Sequence, residues 1–266
     1  MYSKINNNLM QRLITGSIMA CAALLLVYLG NIYFMGLALS MGAFIFIEYQ
    51  AITSQYYSQK ARGLSTIFYI IFTIISVIYF SSYLLLMLFL FTAILGLVSI
   101  QDSGYKSISK DNFWVPLGFI YSTLPVFALI YLRNTSFFDV IYLFLLVWGT
   151  DIGGYFCGKF IGGAKLAPKI SPKKTVSGAV GGIIVALFFV TIFLDMNWKI
   201  FVITILLSVI SQIGDLAESF LKRKFGVKDS GNILPGHGGV MDRVDGLIFV
   251  SISLLILVAK AGLVLY

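Results

Sequence analysis

The chain has 266 residues, of which 59% are hydrophobic and only 11% charged, against about 25% charged in an ordinary soluble domain. A soluble fold of this size cannot hide so much apolar surface, whereas a bilayer can. An integral membrane protein is therefore expected, and the net charge of +8 reads as topology signals and anion contacts rather than a nucleic-acid surface. The two cysteines, Cys21 and Cys157, lie in apolar stretches at no metal-ligand spacing, and buried free thiols are expected.

Taken in chain order, Lys4 and Arg12 precede the first apolar run, and Ala20-Cys21-Ala22 loosely resembles a signal-peptide cleavage site. The chain then stays apolar from Ala23 to Tyr28 where a cleaved signal should turn polar, so an uncleaved first span is expected. A spanning helix needs about 20 mostly apolar residues. About nine such stretches follow, at 13–30, 32–49, 64–80, 83–100, 113–132, 137–156, 176–194, 198–217 and 246–264. Gly30-Asn31 parts the first two, and Ser81-Ser82 parts the third from the fourth.

With nine spans, 16 of the 19 basic residues fall on one side, and only Arg133, Lys199 and Lys260 on the other. The positive-inside rule then makes the N-terminus and the basic loops cytoplasmic and the C-terminus external. Two cytoplasmic loops, about 157–175 and 218–245, are long and rich in Gly and Lys, and nothing before residue 110 matches them. The expected organisation is thus a transmembrane scaffold of about four helices at 1–110 and a catalytic transmembrane region at 111–266. The fold class is an all-α polytopic membrane protein.

Acids are scarce, so their placement is informative, because a charge inside a span costs roughly 2.5–3.5 kcal/mol. Asp151 ends the sixth span, Asp215 and Glu218 end the eighth, and Asp242 and Asp245 open the ninth. Ser211, Asp215, Glu218 and Lys222 stand at i, i+4, i+7 and i+11, one face of a helix. Carboxylates at neighbouring helix ends suit Mg²⁺, which takes phosphate oxygens and water as its remaining ligands. The bland alternative for Asp242 is a helix cap.

Leu234-Pro235-Gly236-His237-Gly238-Gly239 holds three glycines around the only histidine, flanked by Lys222, Arg223, Lys228 and Arg243. Glycine lets backbone N–H groups approach phosphates closely, so a polyphosphate site is expected there. His237 is placed to bond a phosphate or transfer a proton, and with no second histidine a histidine metal site is excluded. In the other loop, Ser171, Lys173 and Lys174 lead through Thr175 and Ser177 into a helix, whose N-terminus favours anions. Gly153 to Lys159 mimics a P-loop but continues with Phe160 where Ser or Thr is needed. Gly154/Gly158 and Gly178/Gly182 have the spacing of tight helix packing.

The stretch from Ser219 to Asp245 resembles the signature of the phosphatidate cytidylyltransferase (CDP-diacylglycerol synthase) family. Ser219, Lys222, Arg223, Lys228, Asp229, Gly231, Pro235, His237, Gly238, Gly239, Asp242, Arg243 and Asp245 all stand at the family's spacings. Gly214-Asp215-Leu216-Ala217-Glu218-Ser219, Asp151, Gly158, Lys165-Leu166-Ala167-Pro168 and Ser171-Pro172-Lys173-Lys174-Thr175 are similar to the family too. One departure is Val176-Ser177, where the family commonly has Trp-Glu.

The resemblance implies cytidylyl transfer from CTP to phosphatidate of the cytoplasmic leaflet, with Mg²⁺ and a possible second metal ion, by a homodimer of a bacterial cytoplasmic (inner) membrane. Asp215 and Asp242 are then the expected metal ligands, with Glu218 and Asp245 as a second-metal or supporting pair. Lys222, Arg223, Lys228 and Arg243 would neutralise phosphate charge, His237, Asp229, Gly238 and Gly239 would line the nucleotide, and Ser171, Lys173 and Lys174 would serve the lipid phosphate. Other CTP-dependent lipid enzymes (a polyprenol kinase, an ether-lipid cytidylyltransferase) share this equipment. A transporter would need its acids near the bilayer midplane rather than beside basic loops on one side.

Overall fold

The computed structural model describes residues 2–56, 59–78, 113–234, 236 and 238–261. The expected fourth span at 83–100, and the positions of Pro235 and His237, lie outside the described residues. The described chain is helical: α1 (Tyr2–Leu29), α2 (Asn31–Ile52), α3 (Gln59–Ile78), α4 (Trp114–Thr135), α5 (Phe137–Phe160), α6 (Val176–Phe193), α7 (Trp198–Lys224) and α8 (Met241–Ala261). Among them α2 to α7 are long and apolar enough to cross a membrane. The side chains agree, because Val180, Ile184 and Phe188 form an exposed apolar stripe along α6 that only lipid or another apolar surface would cover.

Helix ends fall where local chemistry supplies a partner for the orphan backbone groups. Ser136, Thr175 and Asn197 cap α5, α6 and α7, their side-chain oxygens accepting backbone N–H groups of the first turn. At the other end of α7, Val227 N–H bonds Lys222 O and Gly226 N–H bonds Arg223 O, with Gly226 at φ +71°. That is a Schellman stop, which requires the left-handed conformation a glycine adopts without strain. Between α1 and α2, Gly30 and Asn31 take φ of 63° and 42°, the turn expected from their identities. Arg133 closes that turn by donating from Nε to Val27 O at 2.6 Å.

Regular structure enters both long loops. The first long loop contains a short antiparallel hairpin, β1 (Lys165–Ala167) paired with β2 (Ser171–Thr175). The second is shorter than 218–245, because α7 continues about two turns beyond residue 217 and α8 begins at Met241. Both cysteines are free, as expected, but Cys21 is exposed on α1 rather than buried, and only Cys157 is partly covered.

The chain divides into two compact units. The first draws on Met1–Leu26, Ile32–Phe127 and Asp229–Arg243, and the second on Val27–Asn31, Ala128–Lys228 and Val244–Tyr266. In the first, Phe46 stacks on Tyr69 at 4.4 Å and Phe119 meets both edge-on. Gln50 bonds Ser65 and Thr66 across α2 and α3. In the second, glycines let helices touch backbone to backbone. A Cβ on Gly153 would lie 2.3 Å from Gly181 O, and one on Gly178 would lie 2.8 Å from Gly154 O, which bears out tight α5–α6 packing. Tyr142 with Thr204 and Thr150 with Ser208 tie α5 to α7 through buried hydroxyls.

Candidate active site

In the second unit the acids gather around α7. Gly214 and Gly246 stand beside Asp215 and Asp245, and each permits a close crossing of α7 and α8. A Cβ on Gly214 would meet Asp245 O at 2.9 Å, and one on Gly246 would meet Ser211 Oγ at 2.4 Å. The crossing brings Asp245 within electrostatic reach of Asp215, Asp151 and Lys174. Lys174, at the end of β2, pairs with Asp215 Oδ2 at 2.5 Å. Asp215, Asp151 and Asp245 together bring hard oxygen donors to one place on these helices. Among the described residues no three such side chains are arranged as a ready metal cage. Mg²⁺ rarely uses one, since it is held by one or two carboxylates together with phosphates and water. The donor chemistry therefore fits that ion.

One turn further on, Glu218 and Lys222 form a buried pair, Oε1 to Nζ 2.9 Å, with residue exposures of 1% and 9%. Ser211, Asp215, Glu218 and Lys222 keep the one-sided placement their spacing predicts, because α7 is continuous through all four. Lys222 is thus bound to a neighbouring carboxylate rather than extended into solvent. Arg223 donates to Val227 O at 2.9 Å beyond the helix end. Lys173 and Lys228 are exposed, as is Asp229, and Ser171 is half-buried at the start of β2. Thr175 Oγ1 accepts the Gly178 N–H, and Ser177 donates to Gly162 O, so both hydroxylated residues at the α6 N-terminus already serve the fold.

In the first unit the segment before α8 folds around two acids. Leu234 N–H bonds Gly238 O at 2.9 Å, closing a tight turn in which Gly236 and Gly238 have φ of 76° and 84°. Asp242 Oδ2 accepts two backbone N–H groups, from Ser230 at 2.9 Å and Gly239 at 3.0 Å. Asp242 therefore uses Oδ2 as a cap. Arg243 is exposed on the first turn of α8.

The second acid, Glu48 of α2, has no place in the sequence reading. It is 2% exposed. Its Oε1 accepts Val240 N–H, and its Oε2 accepts Met241 N–H and Ser230 Oγ–H, each at 2.8 Å. The glycines fit this carboxylate closely. A Cβ on Gly239 would stand 2.5 Å from Glu48 Oε2, and one on Gly231 would stand 2.8 Å from Oε1. Through this acid α2 reaches the segment that precedes α8. The available signal was an acid one turn from the end of a span, in a chain with only 11 acids.

Carboxylates set beside basic, glycine-rich backbone on apolar helices are the equipment of a membrane-embedded transferase that acts on phosphates. Comparison with known proteins gives this class its family: the model described as the cytidylyltransferase family matches residues 10–260, and the chain belongs to that family. A phosphatidate cytidylyltransferase of Brucella suis is 37% identical over 253 residues, covering 91% of this chain and 90% of its own. The phosphatidate cytidylyltransferase of Bacillus subtilis is 44% identical over 170 residues, 58% of this chain and 63% of its own. That of Staphylococcus saprophyticus is 47% identical over 166 residues, 55% of this chain and 61% of its own.

Proposed function

We propose that this protein transfers the cytidylyl group of CTP to phosphatidate, forming CDP-diacylglycerol and releasing pyrophosphate. The observation that carries this reading is similarity to a phosphatidate cytidylyltransferase along 91% of the chain, with the Ser219–Asp245 signature intact within it.

In the reaction a phosphate oxygen of phosphatidate attacks the α-phosphorus of CTP. The new P–O bond forms as the bond to the β-phosphate oxygen breaks, and pyrophosphate carries away the electron pair. The nucleophile is already ionised near neutral pH, so no general base is required. Both reactants are anions, and the barrier is mainly repulsion and positioning. Asp215 and Asp245 are the residues that would hold Mg²⁺, and Asp242 of the signature is the carboxylate tested below. When bound, the ion would neutralise phosphate charge. Lys174, held by Asp215, and the exposed Lys173, Lys228 and Arg243 supply cations for phosphates. Gly238 and Gly239 shape the turn before α8, where the Gly239 N–H is held by Asp242 and Glu48 packs against the space a side chain would fill. The buried Glu218–Lys222 pair is assigned to fixing the end of α7 rather than to a second metal.

The charge asymmetry supports nine spans, a cytoplasmic N-terminus, an external C-terminus and a site open to cytoplasmic CTP. The bacterial relatives support placement in a cytoplasmic membrane, and a homodimer is carried over from the family resemblance.

The test is to incubate detergent-purified protein with CTP, Mg²⁺ and phosphatidate and to measure CDP-diacylglycerol and pyrophosphate, with EDTA and Asp242→Asn alongside. Asn is informative because its carbonyl oxygen still accepts the Ser230 and Gly239 N–H groups while the charge is lost. We expect product only with lipid and metal together, and a roughly 100-fold or greater loss in the variant. Folded wild-type protein that makes no CDP-diacylglycerol, but cytidylylates or phosphorylates another lipid, would overturn the substrate assignment. A fully active Asp242→Asn protein would overturn the role of that carboxylate.

A further inference from the structure

We infer that Glu48 is a positioning residue for the transfer reaction, setting the 229–241 segment and the start of α8 in the geometry that receives CTP. The inference rests on the reading of that segment as part of the CTP site. Its basis is geometric. Helix α8 opens with backbone N–H groups that no intrahelical carbonyl can satisfy. Two of them, from Val240 and Met241, are taken by opposite oxygens of Glu48, and Ser230 Oγ–H adds a third bond at Oε2. Asp242 Oδ2 meanwhile holds Ser230 N–H and Gly239 N–H. Ser230 is thus gripped by both acids, through its hydroxyl by Glu48 and through its backbone by Asp242. Movement of Glu48 is transmitted to the carboxylate assigned to catalysis, although Glu48 has no direct bond to it among those described.

The arrangement requires a carboxylate and not merely a polar side chain. Both Glu48 oxygens accept from backbone N–H groups, and neither backbone donor can reverse. A glutamine in either amide orientation sets its NH₂ against the N–H of Val240 or of Met241. Gly231 and Gly239 leave room for the carboxylate, with would-be Cβ distances to it of 2.8 and 2.5 Å. A buried acid contributed by α2 thus organises a segment about 180 residues later.

The experiment is steady-state kinetics on detergent-purified full-length Glu48→Gln and Ser230→Ala, with thermal unfolding and gel filtration as folding controls. We expect Glu48→Gln to stay folded and to lose kcat/KM for CTP by roughly 10- to 100-fold. The loss should fall largely in the KM for CTP, with the KM for phosphatidate much less affected. Ser230→Ala, which removes one of the three bonds, should give a smaller rise in the same KM. Wild-type kcat/KM in folded Glu48→Gln would overturn the inference. So would a loss of Vmax in proportion to lost folded protein at unchanged KM, since that marks a purely structural role. If Glu48→Gln does not fold, Ser230→Ala decides by the same criterion. Asp242→Asn separates this inference from the reading beneath it. Full activity in that variant would bring down the assignment of the segment, whereas an inactive Asp242→Asn beside a fully active Glu48→Gln would bring down the Glu48 inference alone.

Discussion

Replacing Gly246 by alanine probes the crossing of α7 and α8 directly. The added Cβ would lie 2.4 Å from Ser211 Oγ, while Ser211 Cβ and Ser211 O are both at 3.5 Å. An ordinary contact needs about 3.5–4.0 Å, so the helices must separate by about 1 Å or Ser211 must leave its rotamer within a site where it is 1% exposed. Overpacking of this kind costs typically 1–3 kcal/mol, against about 1 kcal/mol gained in helix propensity. Asp215 and Asp245 lie on the helices being pushed apart, and a shift of about 1 Å at reacting groups costs up to 100-fold in rate. Gly246→Ala should therefore cost more in CDP-diacylglycerol synthesis than in thermal stability. The clash is with one removable atom. Ser211→Ala in the same protein leaves the new methyl at ordinary distance and should restore most of the rate. A fully active Gly246→Ala protein, or a double variant no better than the single one, would refute the reasoning.

Other outcomes follow from the same geometry. Lys222→Met removes the ammonium paired with the buried Glu218 carboxylate and should destabilise the protein by roughly 3–5 kcal/mol, whereas Lys222→Met with Glu218→Leu should recover much of that in chemical denaturation. Gly239→Ala forces a Cβ to within 2.0 Å of Ser230 Oγ and should abolish synthesis at a retained helical circular dichroism signal. Thr175→Val removes the α6 cap and should lower stability by about 1 kcal/mol in a melt. Chelation by EDTA should stop turnover, and added Mg²⁺ should restore it in the same sample.

The parts of the fold legible in the sequence are those set by short-range rules. Apolar runs located the described helices, Gly30-Asn31 located a turn, and a 3.6-residue period put Asp215, Glu218 and Lys222 on one face of α7. The hairpin at 165–175 was hidden because its strands are three and five residues long and carry lysines and a proline instead of an alternating apolar pattern. The turns of α7 beyond residue 217 leave the apolar run and are marked only by the helical spacing of Glu218 and Lys222, a helix-supporting i, i+4 pair. Asp242 was open to both a capping and a metal reading, and its geometry shows one oxygen used as a cap. Glu48 was out of reach because two of its three partners are backbone N–H groups, which leave no mark in side-chain identities, and because the partner segment is so distant along the chain.

That distance has a consequence for how the protein is made. Glu48 emerges from the ribosome 182 residues before Ser230, and at 5–20 residues per second the interval is roughly 10–40 s. Throughout it, the groups that will bind the carboxylate do not yet exist, and an ionised side chain held in hydrocarbon would oppose insertion of α2. A place one turn from the helix end lets the nascent chain keep Glu48 in water or among headgroups until α8 arrives. Capture of Glu48 is then a late step of assembly, and a chain truncated before residue 230 would insert its early helices yet leave this acid without its final partners.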